Sequence, residues 1–297
     1  MPFGWHLLFG CYLEAFHWPG NSEVPLNHYC KRFNLEELNL KIMPTSREEG
    51  SLYTKIENGI AHVEFGHPAS NSFVSELLSR LTNEFCDLAS NEKVAVIVLK
   101  SEGERAFCAG ASFDELVAIS TLEEGKSFFS GFANVINAMR KCPKPIIGRI
   151  QGKTVGGGVG LASACDYVHA TVDAAVKLSE LSVGIGPFVI APAVERKIGK
   201  AALAELSLYP TEWKNAYWAK EKGLYAKVYD SILEMDKELD IHLQKLSGYN
   251  AQALSQMKRV LWEGTENWDD LLASRALISG QLALSKETKS ALEKFKK

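Results

Sequence analysis

The stretch best suited to chemistry is Gln151-Gly152-Lys153-Thr154-Val155-Gly156-Gly157-Gly158-Val159-Gly160, where a β-branched strand runs into glycines and then into an apolar helix. Glycines let bare backbone approach a ligand. The helix they open, roughly Gly157 to Cys165, points unpaired N–H groups and the positive end of its dipole forward, a seat for an anion or an oxyanion. Two familiar phosphate loops fail on spacing. A Walker-type loop needs glycine where Ile147 stands, and a dinucleotide fingerprint needs glycine at Leu161 or at Ser163. Taken alone, the glycines would serve equally to pack a strand tightly on a helix.

A second turn of the same kind adds weight. Val94-Ala95-Val96-Ile97-Val98-Leu99 reads as a strand buried on both faces. It leads into Arg105-Ala106-Phe107-Cys108-Ala109-Gly110-Ala111-Ser112, and Ser112 with Glu115 forms the pattern of a capping box that starts a helix through Phe113, Leu116 and Ile119. Ala109 offers a backbone N–H with almost no side chain in the way. Two strand–turn–helix units can therefore supply two converging amides.

With these segments in place, the chain resembles the crotonase superfamily, the enoyl-CoA hydratases and isomerases. The resemblance rests on Ala106-Phe107-Cys108-Ala109-Gly110-Ala111 and on Gly152 to Gly158. It continues through Leu161-Ala162-Ser163-Ala164-Cys165-Asp166 into Lys177-Leu178-Ser179-Glu180-Leu181-Ser182-Val183-Gly184. It is strong over about Leu52 to Lys227 and weak over the helical remainder. It implies an α/β fold, a crotonase-like ββα spiral with a C-terminal helical trimerisation region. It also implies an oxyanion hole from the amides of Ala109 and Gly157 around an acyl-CoA carbonyl, with Ala111, Gly156, Gly158, Gly160, Pro187 and Phe188 about the substrate. Coenzyme A would enter as part of that substrate, with no separate cofactor. The chemistry is coherent, because removing a proton beside a thioester puts charge on the carbonyl oxygen and fixed N–H donors stabilise that enolate more than the ground state.

Hydratases of the superfamily usually carry two glutamates. At the first position this chain has Gly160; at the second it has Glu180, among Leu178, Leu181 and Val183, surroundings that should raise a carboxyl pKa toward neutrality. Adding water is easiest with two groups, whereas moving a double bond needs one, so the single Glu180 resembles an isomerase. Asp114 and Glu115 are candidates to replace the missing acid, and otherwise are first-turn helix residues. Hydration and isomerisation both stay open. The alternatives are a decarboxylase or hydrolase of acyl-CoA, in which Gly160 makes room for a carboxylate or a water, and a non-catalytic homologue. Phe188 and Val189 either line an acyl pocket or pack a turn. Asp166 reads as a hydrogen-bonded structural acid.

The elements that must position these residues follow from pattern. Leu52 to Phe65 alternates about Asn58-Gly59, a hairpin. A helix is expected from Ser72, with Phe73, Leu77, Leu78, Leu81, Phe85 and Leu88 on one face. Next come the Val94 strand, helices over Phe113 to Ile119 and Glu123 to Lys141, and a strand from Pro145 to Ile150. Short strands follow Asp166, and helices dominate from Ala191. The expected domains are residues 43–227 for the spiral core, residues 228–297 for a helical region, and residues 1–42 as an extension outside the fold. That extension is aromatic-rich. Its apolar start, Phe3 to Leu13, is too short to span a bilayer and lacks the preceding Lys or Arg of a signal peptide, and Glu14 and Glu23 argue against a transit peptide. Met43 is the expected true start.

The 297 residues, 46% hydrophobic with net charge −3, fit one large core and a metabolic enzyme rather than a nucleic-acid binder. Lys294, Lys296 and Lys297 make only a short basic end. His6, His17, His28, His62, His67, His169 and His242 show no metal-ligand spacing. Cys11, Cys30, Cys86, Cys108, Cys142 and Cys165 lack a C-x-x-C pair and fit reduced thiols in a cytoplasmic protein. Cys108 reads as packing. No membrane partner is indicated, and the resemblance implies a homotrimer or hexamer.

Overall fold

The hairpin about Asn58-Gly59 lies near the start of the described fold. A computed structural model describes residues 40–42 and 49–295. Strands β2 (Ser51–Glu57) and β3 (Ile60–Gly66) pair antiparallel with Glu57 opposite Ile60. The turn between them holds Asn58 at φ 50° and Gly59 at φ 79°, the left-handed pair that a two-residue turn requires. Strand β1 (Leu40–Ile42) pairs antiparallel with β2, Leu40 opposite Lys55. This corrects the boundary expected at residue 42, since backbone pairing extends the sheet three residues upstream. Residues 1–39, including the expectations about Phe3 to Leu13, three histidines and two cysteines, lie outside the described residues, as do Met43, Lys296 and Lys297.

Beyond the hairpin the chain alternates between two sheets, which is what makes it a spiral. Strands β4 (Val96–Ser101), β6 (Ile146–Ile150) and β8 (Tyr167–Thr171) join the large sheet. Strands β5 (Ala106–Cys108), β7 (Lys153–Val155) and β9 (Val176–Lys177) form a small one. With β10 (Lys227–Tyr229), the large sheet runs β1-β2-β3-β4-β6-β8-β10, parallel from β3 onward, and the small sheet β5-β7-β9 is parallel throughout. The expected boundary at residue 227 is also corrected, because it falls inside β10, which pairs with β8.

Helices cover the sheets. α1 (Ser75–Ser90) buries Leu77, Leu78, Leu81, Phe85 and Leu88, the face its spacing marks out. It starts three residues later than expected, because Phe73 pairs with Ala111 in an isolated parallel bridge instead. After α2 (Phe113–Ala118), the helix α3 (Leu122–Lys141) opens on a full capping box of Thr121 and Glu124. α4 (Gly157–Ala164) is buried on nearly every side. The rest is mainly helical: α5 (Ala191–Leu208, kinked at Gly199), α6 (Ala216–Glu221), α7 (Ile232–Ser247), α8 (Ala251–Leu261), α9 (Trp268–Ala283) and α10 (Lys286–Phe295). These elements belong to one compact unit, Asn39–Lys297. No described helix is long and apolar enough to cross a membrane.

Candidate active site

Three turns converge because the three strands of the small sheet lie side by side and point the same way. The turn after β5 carries Ala109 to Ala111, the turn after β7 carries Gly156 and Gly157, and β9 leads to Glu180. Neighbouring parallel strands are only about 4.8 Å apart, so their carboxyl ends place the three turns at one edge. The hydrogen bond from Gly156 N to Lys177 O, 3.0 Å, ties the second turn to the third. Gly156 adopts φ 53°, which needs glycine, and a Cβ there would lie 3.0 Å from Glu180 Oε1.

A cavity of about 210 Å³ opens at this edge. Ala109, Ala111, Gly156, Gly157, Glu180, Pro187 and Phe188 all line it. Phe113, Phe128, Phe129 and Phe132 furnish much of the remaining wall, so both Phe188 and Val189 face an apolar pocket. Glu180 is the single titratable residue in that wall among the described residues.

The backbone amides depart from expectation at one place. Ala109 N–H donates to Ser70 O at 3.1 Å and is therefore committed within the fold. The Phe73–Ala111 bridge uses Phe73 N to Gly110 O, 2.8 Å, and Ser112 N to Phe73 O, 2.7 Å. In a parallel bridge of this pattern the central residue turns its own N–H away from the partner strand. Ala111 thus has its amide without an acceptor among the described residues, and so has Gly157, the first residue of α4. Ala111 and Gly157 carry unengaged amides on two neighbouring turns of the wall; Gly157 is the residue assigned by sequence, and Ala111 lies two residues along from the assigned Ala109.

Glu180 opens a 3-10 turn, Glu180–Val183, and its Oε2 is buried without a hydrogen-bond partner. Burial pushes its pKa up to about 7, with its own backbone amide pulling weakly the other way. Such a group changes protonation near neutrality and can carry a proton either way.

Two expected lining residues are buried beneath the cavity wall. A Cβ on Gly158 would lie 2.6 Å from Cys108 Cβ, and one on Gly160 would lie 2.4 Å from Ile190 Cγ2. Gly160 therefore leaves no free space for a water or a substrate carboxylate, because Ile190 already fills it. The substitutes suggested for the missing acid are also elsewhere. Glu115 accepts from Ser75 N at 2.9 Å and Ser75 Oγ at 2.7 Å, capping α1, so the box expected at Ser112 is only half formed. Asp114 is exposed and outside the wall.

Other singled-out residues have structural partners. Asp166 accepts from Ile146 N, Lys258 Nζ and Trp262 Nε1, each at 2.7 Å. Burial pushes the Cys108 thiol up to about 12, which makes it a poor nucleophile. His169 meets His242 at 2.9 Å and Tyr229 at 2.9 Å, a contact hidden by 73 residues of separation. Burial holds the His169 pKa down at about 4. Among the described residues no group of three or more His, Cys, Asp or Glu could hold a metal.

Fold and cavity together bring two unengaged backbone amides and the Glu180 carboxylate to one edge of the small sheet. Residues 55–294 match the family model for enoyl-CoA hydratase/isomerase, so the chain belongs to that family. It is 27% identical over 226 residues to the peroxisomal Delta(3,5)-Delta(2,4)-dienoyl-CoA isomerase of Arabidopsis thaliana, covering 71% of this chain and 80% of that protein. It is 32% identical over 228 residues to the mitochondrial methylglutaconyl-CoA hydratase of Rattus norvegicus, covering 75% of this chain and 71% of the relative. The fold is similar to the crystal structure of enoyl-CoA hydratase from Bacillus halodurans, with TM-score 0.76 and 20% identity over 82% of this chain and 99% of that one.

Proposed function

We propose that this enzyme shifts the double bond of an enoyl-CoA, converting a 3-enoyl thioester to the conjugated 2-enoyl isomer. The observation that carries this reading is the wall itself, with Glu180 as its single titratable residue and Ile190 in the space a second carboxylate would need. Glu180 takes a proton from C2. The electron pair delocalises onto the thioester oxygen, where the amides of Ala111 and Gly157 stabilise the charge. The same proton is then delivered to C4, and the double bond settles between C2 and C3. Preorganised donors of this kind contribute on the order of 10²–10³ in rate each. Coenzyme A is part of the substrate in this scheme, and the reaction needs no metal or further cofactor.

The wall supports the same choice, since hydration is easiest with one group to deprotonate the water and another to protonate carbon, and among the described residues the wall carries a single carboxylate. Supplying the purified protein with matched 3-enoyl-CoA and 2-enoyl-CoA esters tests this. The expected result is growth of conjugated thioester absorbance from the former and no 3-hydroxyacyl product from the latter. Fast hydration without isomerisation would overturn the assignment. A homotrimer or hexamer and cytoplasmic residence belong to the same proposal, resting on family resemblance and sequence alone. Light scattering measures the assembly directly.

A further inference from the structure

Ser279 is the one residue of α9 in the cavity wall. It is 1% exposed, and its Oγ is buried with no hydrogen-bond partner among the described residues. Serines in helices ordinarily satisfy themselves locally, and Ser274 on the same helix does so: its Oγ donates to Leu271 O at 2.7 Å. A buried hydroxyl left unpaired costs free energy comparable to a lost hydrogen bond, so its position calls for a partner.

Its placement is built into the packing of two helices. α9 crosses α3 where Gly280 meets Gly125; a Cβ on Gly280 would lie 2.7 Å from Lys126 N, and one on Gly125 2.8 Å from Gly280 Cα. Only glycines allow so close an approach, and it carries the adjacent Ser279 into the wall that Phe128, Phe129 and other largely apolar residues share.

We infer that Ser279 is a specificity-determining residue that hydrogen-bonds an oxygen on the substrate's acyl chain, so that the preferred thioester is an oxygenated one, hydroxy or keto, rather than a plain hydrocarbon. This rests on the acyl-CoA reading above and extends it to the part of the wall that α9 supplies. The hydroxyl can donate to a keto oxygen or exchange hydrogen bonds with an alcohol, which the phenylalanine side chains of the wall cannot do.

Calorimetric binding of non-reacting saturated thioesters tests this without relying on turnover. Butanoyl- to decanoyl-CoA would be compared with the same series bearing a terminal hydroxyl or a penultimate keto group, on the wild-type protein and on Ser279→Ala. At one chain length the oxygenated ester should bind wild type about tenfold more tightly than its plain counterpart, and Ser279→Ala should erase that preference while leaving the plain ester unchanged. Equal affinity for plain and oxygenated esters at every length in the wild type overturns the inference, whatever the variant does. So does a preference that survives Ser279→Ala. If no thioester binds, the acyl-CoA reading itself falls, an outcome distinct from equal binding of both series.

Discussion

At the scale of the residue, the role proposed for Glu180 bears on activity, and its burial on the pH dependence of stability. Its conversion to Gln keeps shape and removes the base, so kcat/KM should fall by about 10²–10⁴, measured on a 3-enoyl-CoA, with thioester binding retained. The wild-type kcat/KM should climb with pH and reach half its plateau at about 7, because the carboxylate must be ionised to accept the C2 proton. The stability effect has the opposite sense. The folded-state pKa is raised from 4.5 to about 7, so between those values the native protein holds a proton that the unfolded chain releases, and stability falls as pH rises. Thermal melts of Glu180→Gln should therefore lie above wild type at pH 8 and converge with it below about pH 5.

At the scale of the element, the small sheet and α4 explain why one carboxylate stands where a second has no room. The helix is buried by neighbours on nearly all sides, and at Gly160 it runs against Ile190 just ahead of α5. Gly160→Glu alone should overpack this contact and cost about 1–3 kcal/mol, read from the denaturation midpoint. Combining it with Ile190→Ala opens the space, and the double variant is expected to regain most of that stability and to hydrate 2-enoyl-CoA measurably. A double variant that folds as wild type and still gives no hydration would show that more than the second acid separates the two reactions.

At the scale of the whole molecule, Asp166 fastens the C-terminal helices to the sheet. Its carboxylate joins the start of β6, through Ile146 N, to Lys258 on α8 and to Trp262 just beyond it. Arg196 of α5 stacks on Trp262 with 3.7 Å to the ring centroid. The Asp166 and Lys258 side chains are only 5% and 2% exposed. Removing one member of such a pair leaves the other charge buried and uncompensated, so Asp166→Ala should lose about 3–5 kcal/mol in chemical denaturation. Replacing both Asp166 and Lys258 by apolar residues should cost less than Asp166→Ala alone, because no orphan charge remains.

Local pattern determined a good deal by itself. The Asn58-Gly59 hairpin, the apolar face of α1 and the two glycine turns are encoded in short windows, because backbone geometry and period-based burial act over a few residues, whereas Glu180 was marked by the family resemblance. Tertiary structure decided the rest. Which amide in Ala109-Gly110-Ala111 stays unengaged depends on Ser70 O, which accepts from Ala109 N, on Cys108 Sγ, which accepts from Gly110 N, and on the bridge to Phe73 that turns Ala111 N away, with Ser70 and Phe73 more than thirty residues upstream. The space beside Gly160 is filled from thirty residues downstream, Glu115 is diverted to cap α1, and His169 finds His242 across the sheet. Ser279 carries no signal in sequence at all, since a serine in a helix becomes a cavity residue only where a glycine crossing between α3 and α9 turns it there. Each of these outcomes depends on the direction of a hydrogen bond or the occupancy of a void, and both are fixed only when distant segments pack together.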